Sequence, residues 1–149
     1  MKFSVPSSLD LEHKELHADL VKATREPGKL GDAAKNVANI LDPHFKKEEE
    51  FALPPLGLLS LLAGGEIIPD MKDVLLMTDR LKKELTQMLE EHKAIVAELT
   101  HLIGEAKKAS KPEYISFAEK LTLHAKNEEE VLYPAALLVG EYTKLKLSQ

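Results

Sequence analysis

Cysteine and tryptophan are both absent from this chain of 149 residues. Without cysteine the protein has no disulfide, no thiolate metal ligand and no thiol nucleophile. Aromatic residues make up only 5% of the chain, so the core has to be built mainly from aliphatic side chains. No uninterrupted apolar run reaches the roughly 20 residues of a membrane span. The N-terminus also lacks the apolar stretch of a signal peptide.

An excess of positive charge is also absent, because 25 acidic residues outnumber 20 basic ones and the formal net charge is −5. No long run of lysine or arginine is present, which argues against a nucleic-acid-binding surface. The hydrophobic share of 44% and the charged share of 30% are ordinary for a globular protein. We therefore expect one cytoplasmic domain over residues 1–149, with neither nucleic acid nor membrane as a partner.

Proline and glycine divide the chain into four long amphipathic segments, and none of them alternates like a strand. The predicted helices cover about residues 8–26, 29–53, 70–108 and 112–144, and an apolar connector covers 54–69. Four helices of this length in one small domain predict an all-α, up-down-up-down four-helix bundle. The connector either caps one end of the core or forms a subunit contact, which leaves a homodimer open.

Histidines and glutamates lie on the apolar stripes of these helices, where residues recur in steps of three and four. On the fourth helix the stripe is predicted to continue through Val131, Ala135 and Leu138. The polar members of the four stripes are His13 with His17 on its flank, His44, Glu48, His92, His124 and Glu128.

The two halves of the chain resemble each other. The segment HFKKEEE and the segment HAKNEEE are separated by an offset of 80 residues, and a Glu-His pair recurs at an offset of 79. This repeat predicts two helix pairs related by a pseudo-two-fold axis, with equivalent residues close to that axis. The matching positions are Glu12 and Glu91, His13 and His92, His44 and His124, Glu48 and Glu128, and Pro54 and Pro134.

Burying two carboxylates beside several imidazoles costs several kcal/mol unless they are compensated. A bound metal offsets this cost, and His44 with Glu48 has the i, i+4 spacing that lets both side chains reach one centre. Imidazole and carboxylate without thiolate favour iron, manganese or zinc. The donors are too many for one ion and suit a dinuclear site with bridging glutamates. The alternative is a hydrogen-bonded polar network in the core.

These motifs resemble those of the hemerythrin-like HHE cation-binding domains over about residues 8–140. The resemblance implies a four-helix bundle around an oxo- or hydroxo-bridged pair of non-haem iron ions. It also implies that His13, His44, His92 and His124 are terminal ligands and that Glu48 and Glu128 bridge. The motifs are Glu12-His13, His44-x-x-x-Glu48-Glu49, Glu91-His92, and His124-x-x-x-Glu128-Glu129 followed by Leu132-Tyr133-Pro134.

One position departs from the oxygen carriers of that family, which have a His-x-x-x-His pair on the third helix. Here Val96 stands four residues after His92, and the pair is on the first helix as His13 and His17. Pseudo-symmetry then predicts His17 as a fifth imidazole. The alternative is that His17 hydrogen-bonds nearby or faces solvent. Carboxylates at i+5 serve in some relatives, so the residue after Glu128 is an alternative bridge, although the stripe favours Glu128.

Five imidazoles and two carboxylates leave one open position on an octahedral iron pair, which suits a small diatomic ligand. The predicted function is O2 binding for carriage, storage or sensing. The alternatives are reduction of peroxide or NO, and iron storage or sensing. A proton donor beside the open position would favour the enzyme, and a tyrosine is the only candidate.

Overall fold

The computed structural model describes residues 3–149, which contain helices and no strand. Met1 and Lys2, where the predicted domain begins, lie outside the described residues. The α-helices are α1 (Ser7–Thr24), α2 (Gly28–Lys47), α3 (Leu59–Ala63), α4 (Val74–Lys108), α5 (Pro112–Asn127) and α6 (Tyr133–Leu147). The all-α prediction is confirmed.

Four long helical rods form a bundle: α1, α2, α4, and the rod made by α5 and α6. The helix α2 packs against α1 and α4, and α4 also packs against α5 and α6. Gly28, at a φ of 70°, makes the tight turn that joins α1 to α2. Pro112 begins α5, where its missing N–H costs nothing. The predicted four-helix bundle is confirmed.

Two π-helical turns interrupt the regular helices, at Glu48–Ala52 after α2 and at Glu128–Leu132 between α5 and α6. The N–H of Leu53 donates to the carbonyl of Glu48 at 2.9 Å, and Tyr133 donates in the same way to Glu128. A proline follows each turn, and its ring crowds the carbonyl four residues earlier, which favours a wider turn. Each π turn therefore begins at one of the two predicted bridging glutamates.

The π turn in the fourth rod shifts the buried face by one residue. Val131 is 53% exposed and Leu138 is also exposed, so their predicted place on the buried stripe is wrong. Tyr133, Ala136 and Val139 are buried instead. A constant step of 3.6 residues cannot anticipate this shift, because one extra residue is accommodated in the turn.

The connector between α2 and α4 contains two 3-10 turns, Pro54–Leu58 and Pro69–Asp73, on either side of α3. Leu58 and Leu62 are buried and cap one end of the bundle. Leu59 is exposed, and a subunit contact at this surface stays a prediction. Within residues 3–149, every helix is too short or too polar to traverse a lipid bilayer.

Gly140→Ala is expected to destabilise the protein by about 1–3 kcal/mol, the usual cost of overpacking a core. A Cβ at Gly140 would lie 2.6 Å from the Cβ of Thr78, which is buried on α4 and cannot swing away. Thermal unfolding followed by circular dichroism measures the loss. The control is Gly104→Ala, whose added Cβ has no neighbour within 4 Å. It should raise stability by up to about 1 kcal/mol through helix propensity. Equal midpoints for both variants would contradict this account.

Candidate metal centre

Each rod of the bundle contributes buried polar side chains to one layer. An apolar cluster that includes Leu41 and Leu121 lies on one side of this layer, and a second that includes Phe51 and Met88 lies on the other. Water is therefore scarce around the layer, and electrostatic interactions within it are strong. The buried donors are His13, His44, Glu48, His92, His124 and Glu128.

Two groups of donors form within this layer. In each group the ligand atoms lie within 4.8 Å of one another, and two imidazoles are combined with the same two carboxylates, Glu48 and Glu128. One group adds His13 and His124, and the other adds His44 and His92; these are called the His13 group and the His44 group below. The structure thus brings six of the seven predicted ligands together.

Each shared carboxylate directs one oxygen to each group. Glu48 places Oε1 at 3.5 Å from Nε2 of His13 and Oε2 at 3.6 Å from Nε2 of His44. Glu128 places Oε2 at 3.2 Å from Nε2 of His124 and Oε1 at 3.3 Å from Nε2 of His92. This is the arrangement that two carboxylates need in order to bridge two cations.

An outer carboxylate holds the far side of three of the four histidine rings. Each of these rings donates its Nδ1–H outward, so Nε2 keeps its lone pair and points into the centre. Such pairing is characteristic of metal-ligating histidines, because it fixes the ring and its tautomer. His44 donates to Glu91 at 2.8 Å, His92 donates to Glu129 at 2.9 Å, and His124 donates to Glu12.

The fourth ring, His13, is held less tightly. Its Nδ1 is 3.7 Å from Glu49, beyond hydrogen-bonding distance, and neither ring nitrogen has a hydrogen-bond partner. The ring of Phe45 stacks on it with centroids 4.0 Å apart and an interplanar angle of 5°. Burial lowers the pKa of His13, with the nearby His124 adding to that effect, so the neutral form that binds a metal is favoured.

The unpartnered atoms fit a metal. In the His13 group, Nε2 of both histidines and one oxygen of each glutamate are buried without a hydrogen-bond partner. In the His44 group, the two Nε2 atoms of His44 and His92 face each other at 2.9 Å. Both rings donate through Nδ1, so two neutral rings would oppose their lone pairs there. Burial opposes protonation of His44, but Glu48 and Glu91 outweigh it and raise the pKa of His44, which favours a proton shared between the two Nε2 atoms in the metal-free protein. Leaving the buried atoms of the His13 group unsatisfied costs about 1–3 kcal/mol each, and a cation would remove that cost.

The protein alone cannot easily keep both central carboxylates ionised. Burial and the charge of Glu48 raise the pKa of Glu128 well above its ordinary value. Burial also opposes ionisation of Glu48, but hydrogen bonds with Glu128 and His44 outweigh it and lower the pKa of Glu48. The pair therefore retains a proton in the metal-free protein. A cation would take the place of this proton.

Tyr133 is a site residue that analysis of the stripes missed. Its hydroxyl donates to Oε2 of Glu48 at 2.5 Å and lies 3.2 Å from Nε2 of His44 and 3.3 Å from Nε2 of His92. Burial and the charges of Glu48 and Glu128 raise its pKa, so it stays protonated. The Leu132-Tyr133-Pro134 motif was the available signal, but only the π turn carries this side chain inward.

His17 is not brought to the other six donors. Its side chain is 55% exposed, and its Nδ1 is 3.6 Å from Asp42 at the surface. Leu16, which is buried, occupies the inward position of that turn of α1 and leaves His17 on the flank. His17 is therefore a surface histidine beside a carboxylate, which is the alternative to the predicted fifth imidazole.

His17→Ala is accordingly expected to bind as much metal as the wild type, because its ring contacts none of the six buried donors. Metal analysis after gel filtration checks this. The comparison variant is His13→Ala, which removes a buried ring and should lower the metal content. A substantial loss of metal in His17→Ala would restore it as a ligand.

Comparison with known proteins agrees with this geometry. The family model described as "Hemerythrin HHE cation binding domain" matches residues 5–136. The matched region contains all six buried donors and Tyr133. Neither the curated proteins nor the solved structures contain a significant match to the chain.

Proposed function

The chain belongs to the hemerythrin HHE cation-binding domain family, and from this premise we propose that its centre holds two iron ions bridged by Glu48 and Glu128. The observation that carries the proposal is the division of each carboxylate between the two donor groups. His13 and His124 would complete the ligands of one ion, and His44 and His92 those of the other. Imidazole and carboxylate without thiolate suit iron.

We propose that the function is binding of a small diatomic ligand, with O2 as the leading candidate. Two imidazoles and two shared carboxylates give each ion four protein ligands, fewer than the six of an octahedral ion. The remaining positions are what reduced iron offers to O2. The apolar clusters on both sides exclude water and protect such a ligand. Carriage, storage and sensing all rest on this binding.

Reduction of peroxide or NO is the second candidate, and Tyr133 favours it. These reactions consume protons, and the hydroxyl of Tyr133 is a hydrogen-bond donor within the His44 group. The exposed position of His17 points the same way, since a fifth imidazole would have closed a position that a reaction can use.

One experiment tests both candidates. The protein is loaded with Fe²⁺ under anaerobic conditions, its metal content is measured, and optical spectra are recorded for minutes after O2 is added. About two irons per chain and a spectrum reversed by removing O2 would support binding. Rapid oxidation together with consumption of added peroxide or NO would support the enzyme. One zinc per chain, or no metal after iron-supplemented growth, would contradict the dinuclear proposal.

The cytoplasmic location and the homodimer stay predictions from the sequence.

A further inference from the structure

The internal repeat allows one half of the centre to be compared with the other. Two surface grooves occupy equivalent places: the α1–α2 groove, of about 310 Å³, reaches His13, and the α4–α5 groove, of about 350 Å³, reaches His92. Their sizes are close, and each is flanked by a pair of lysines. The difference between them lies in the side chains beside each histidine.

In the α1–α2 groove, Phe45 covers the histidine. Its ring is stacked on His13 and also meets the edge of His124, with centroids 5.9 Å apart, so it fills the space beside both imidazoles of the His13 group. The equivalent residue in the α4–α5 groove is Ala125. Its methyl group fills less of the space there than the phenyl ring of Phe45 fills in the other groove. Glu129, which also lines the α4–α5 groove, accepts the Nδ1–H of His92 at 2.9 Å.

The inner ends of the two halves differ as well. The hydroxyl of Tyr133 lies within the His44 group, at 2.5 Å from Glu48 and 3.3 Å from His92. The repeat places Leu53 at the equivalent position, where it is buried and carries no polar atom. That hydroxyl has one proton, which Oε2 of Glu48 accepts in the metal-free protein. Once a cation engages this oxygen, the proton is free for a ligand with a hydrogen-bond acceptor, whereas the equivalent position of the other half has no donor.

We propose that small ligands enter through the α4–α5 groove past Ala125 and bind in the His44 group, where Tyr133 donates a hydrogen bond to them. Phe45 keeps the pseudo-symmetric route closed. This inference rests on the proposed binding of small ligands at the centre, and it adds which half binds them and by which route.

A matched pair of surface variants tests the route. Val96 lines the α4–α5 groove and His17 occupies the equivalent position in the α1–α2 groove. Azide association with the oxidised, iron-loaded protein is followed by stopped-flow absorbance. Val96→Phe should slow association at least about tenfold, since a barrier increase of about 1.4 kcal/mol has that effect. His17→Phe should match the wild type, and both variants should keep the wild-type metal content.

The reverse pattern, with slow association in His17→Phe only, would overturn the route. Unchanged association in both variants would overturn it too. Ala125→Phe, which copies the residue of the other groove, is the deeper obstruction and should slow association further. Because Ala125 is buried, the midpoint of thermal unfolding is measured for this variant. If Ala125→Phe does not fold, the comparison of Val96→Phe with His17→Phe decides whether the route is correct.

Tyr133→Phe tests which half of the centre binds the ligand. Loss of one hydrogen bond should raise the azide dissociation constant about fivefold, through faster dissociation and with association unchanged. The control is Leu53→Met in the other half, which should leave the constant unaltered. An unchanged azide dissociation constant in Tyr133→Phe would overturn the assignment of ligand binding to the His44 group.

If the wild type shows no spectral response to azide, NO or O2, the proposed function fails together with this inference. A response in the wild type with the wrong variant pattern defeats this inference alone.

Discussion

Glu128→Ala is expected to lose most of the bound metal, whereas Glu129→Ala keeps it. The two residues are neighbours in the sequence but not in role. Glu128 is 1% exposed and faces both donor groups, so its loss removes one carboxylate oxygen from each group. Glu129 is 40% exposed and accepts the Nδ1–H of His92 from outside. Metal per chain, measured after gel filtration, reports the difference.

The size of the two effects follows from these positions. Loss of an outer hydrogen bond to a ligating histidine lowers metal affinity by about 10–100-fold, so Glu129→Ala should still fill at saturating iron. Loss of a carboxylate that both donor groups share removes a direct donor from each group and is more severe. The repeat supplies an independent control, because Glu48→Ala should behave like Glu128→Ala, and Glu49→Ala like Glu129→Ala. Metal retained in Glu128→Ala but lost in Glu129→Ala would mean that the bridge is the i+5 carboxylate.

The choice between these two glutamates shows how far the sequence alone could go. On α2 and α5 the stripe has a regular step up to the glutamate, so His44 and Glu48 could be placed together from their spacing. The same reasoning favoured Glu128 over Glu129. Helical geometry is dependable here, because no turn of unusual width lies between the histidine and the glutamate.

Beyond Glu128 the regular helical step predicts the wrong buried residues. The π turn adds one residue to the rod, which turned Val131 and Leu138 outward and Tyr133 inward. The pattern of apolar residues is ambiguous at that point, since Leu138 is exposed and its neighbour Val139 is buried. The hydroxyl of Tyr133 could therefore not be assigned to the centre from the sequence.

His17 was misplaced for a different reason. An i, i+4 pair shares one face of a helix, but successive members drift by about 40° from perfect alignment. On α2 both His44 and Glu48 remain on the buried face despite this rotation. On α1, Leu16 is buried at the inward position and His17 is exposed. Pseudo-symmetry predicts a fifth imidazole, but the sequence spacing alone does not show which of the neighbours Leu16 and His17 is buried.

Removing the metal is expected to lower the midpoint of thermal unfolding by about 10 °C near neutral pH. Metal that binds only the folded state at about 1,000 times its dissociation constant contributes about 4 kcal/mol. For a domain of this size, 1 kcal/mol shifts the midpoint by about 2–4 °C. The unpartnered nitrogens and oxygens of the His13 group give the physical reason, because they are buried in the folded protein with or without a cation. Calorimetry of loaded and chelator-treated protein measures the shift.

The difference between the two midpoints should shrink as the pH falls from about 7.5 to about 5.5. Burial and the charge of Glu48 raise the pKa of Glu128 in the metal-free fold above its value in the unfolded chain. Its contribution to folding is therefore lost as the pH rises through that raised pKa and regained as the pH falls. The loaded protein changes in the opposite sense, because protons compete with the metal for imidazoles and carboxylates.

Glu128→Gln separates the charge from the shape of this side chain. The amide resembles the protonated acid and is neutral at every pH, so the metal-free variant folds without having to take up the proton that Glu128 retains in the wild type. The metal-free variant should unfold at a higher temperature than the metal-free wild type at about pH 7.5, and its midpoint should depend less on pH. It should also bind less metal, because an uncharged amide is a poor bridge. Equal midpoints for the loaded and metal-free wild type would instead indicate that the buried histidines and glutamates form a structural hydrogen-bonded network.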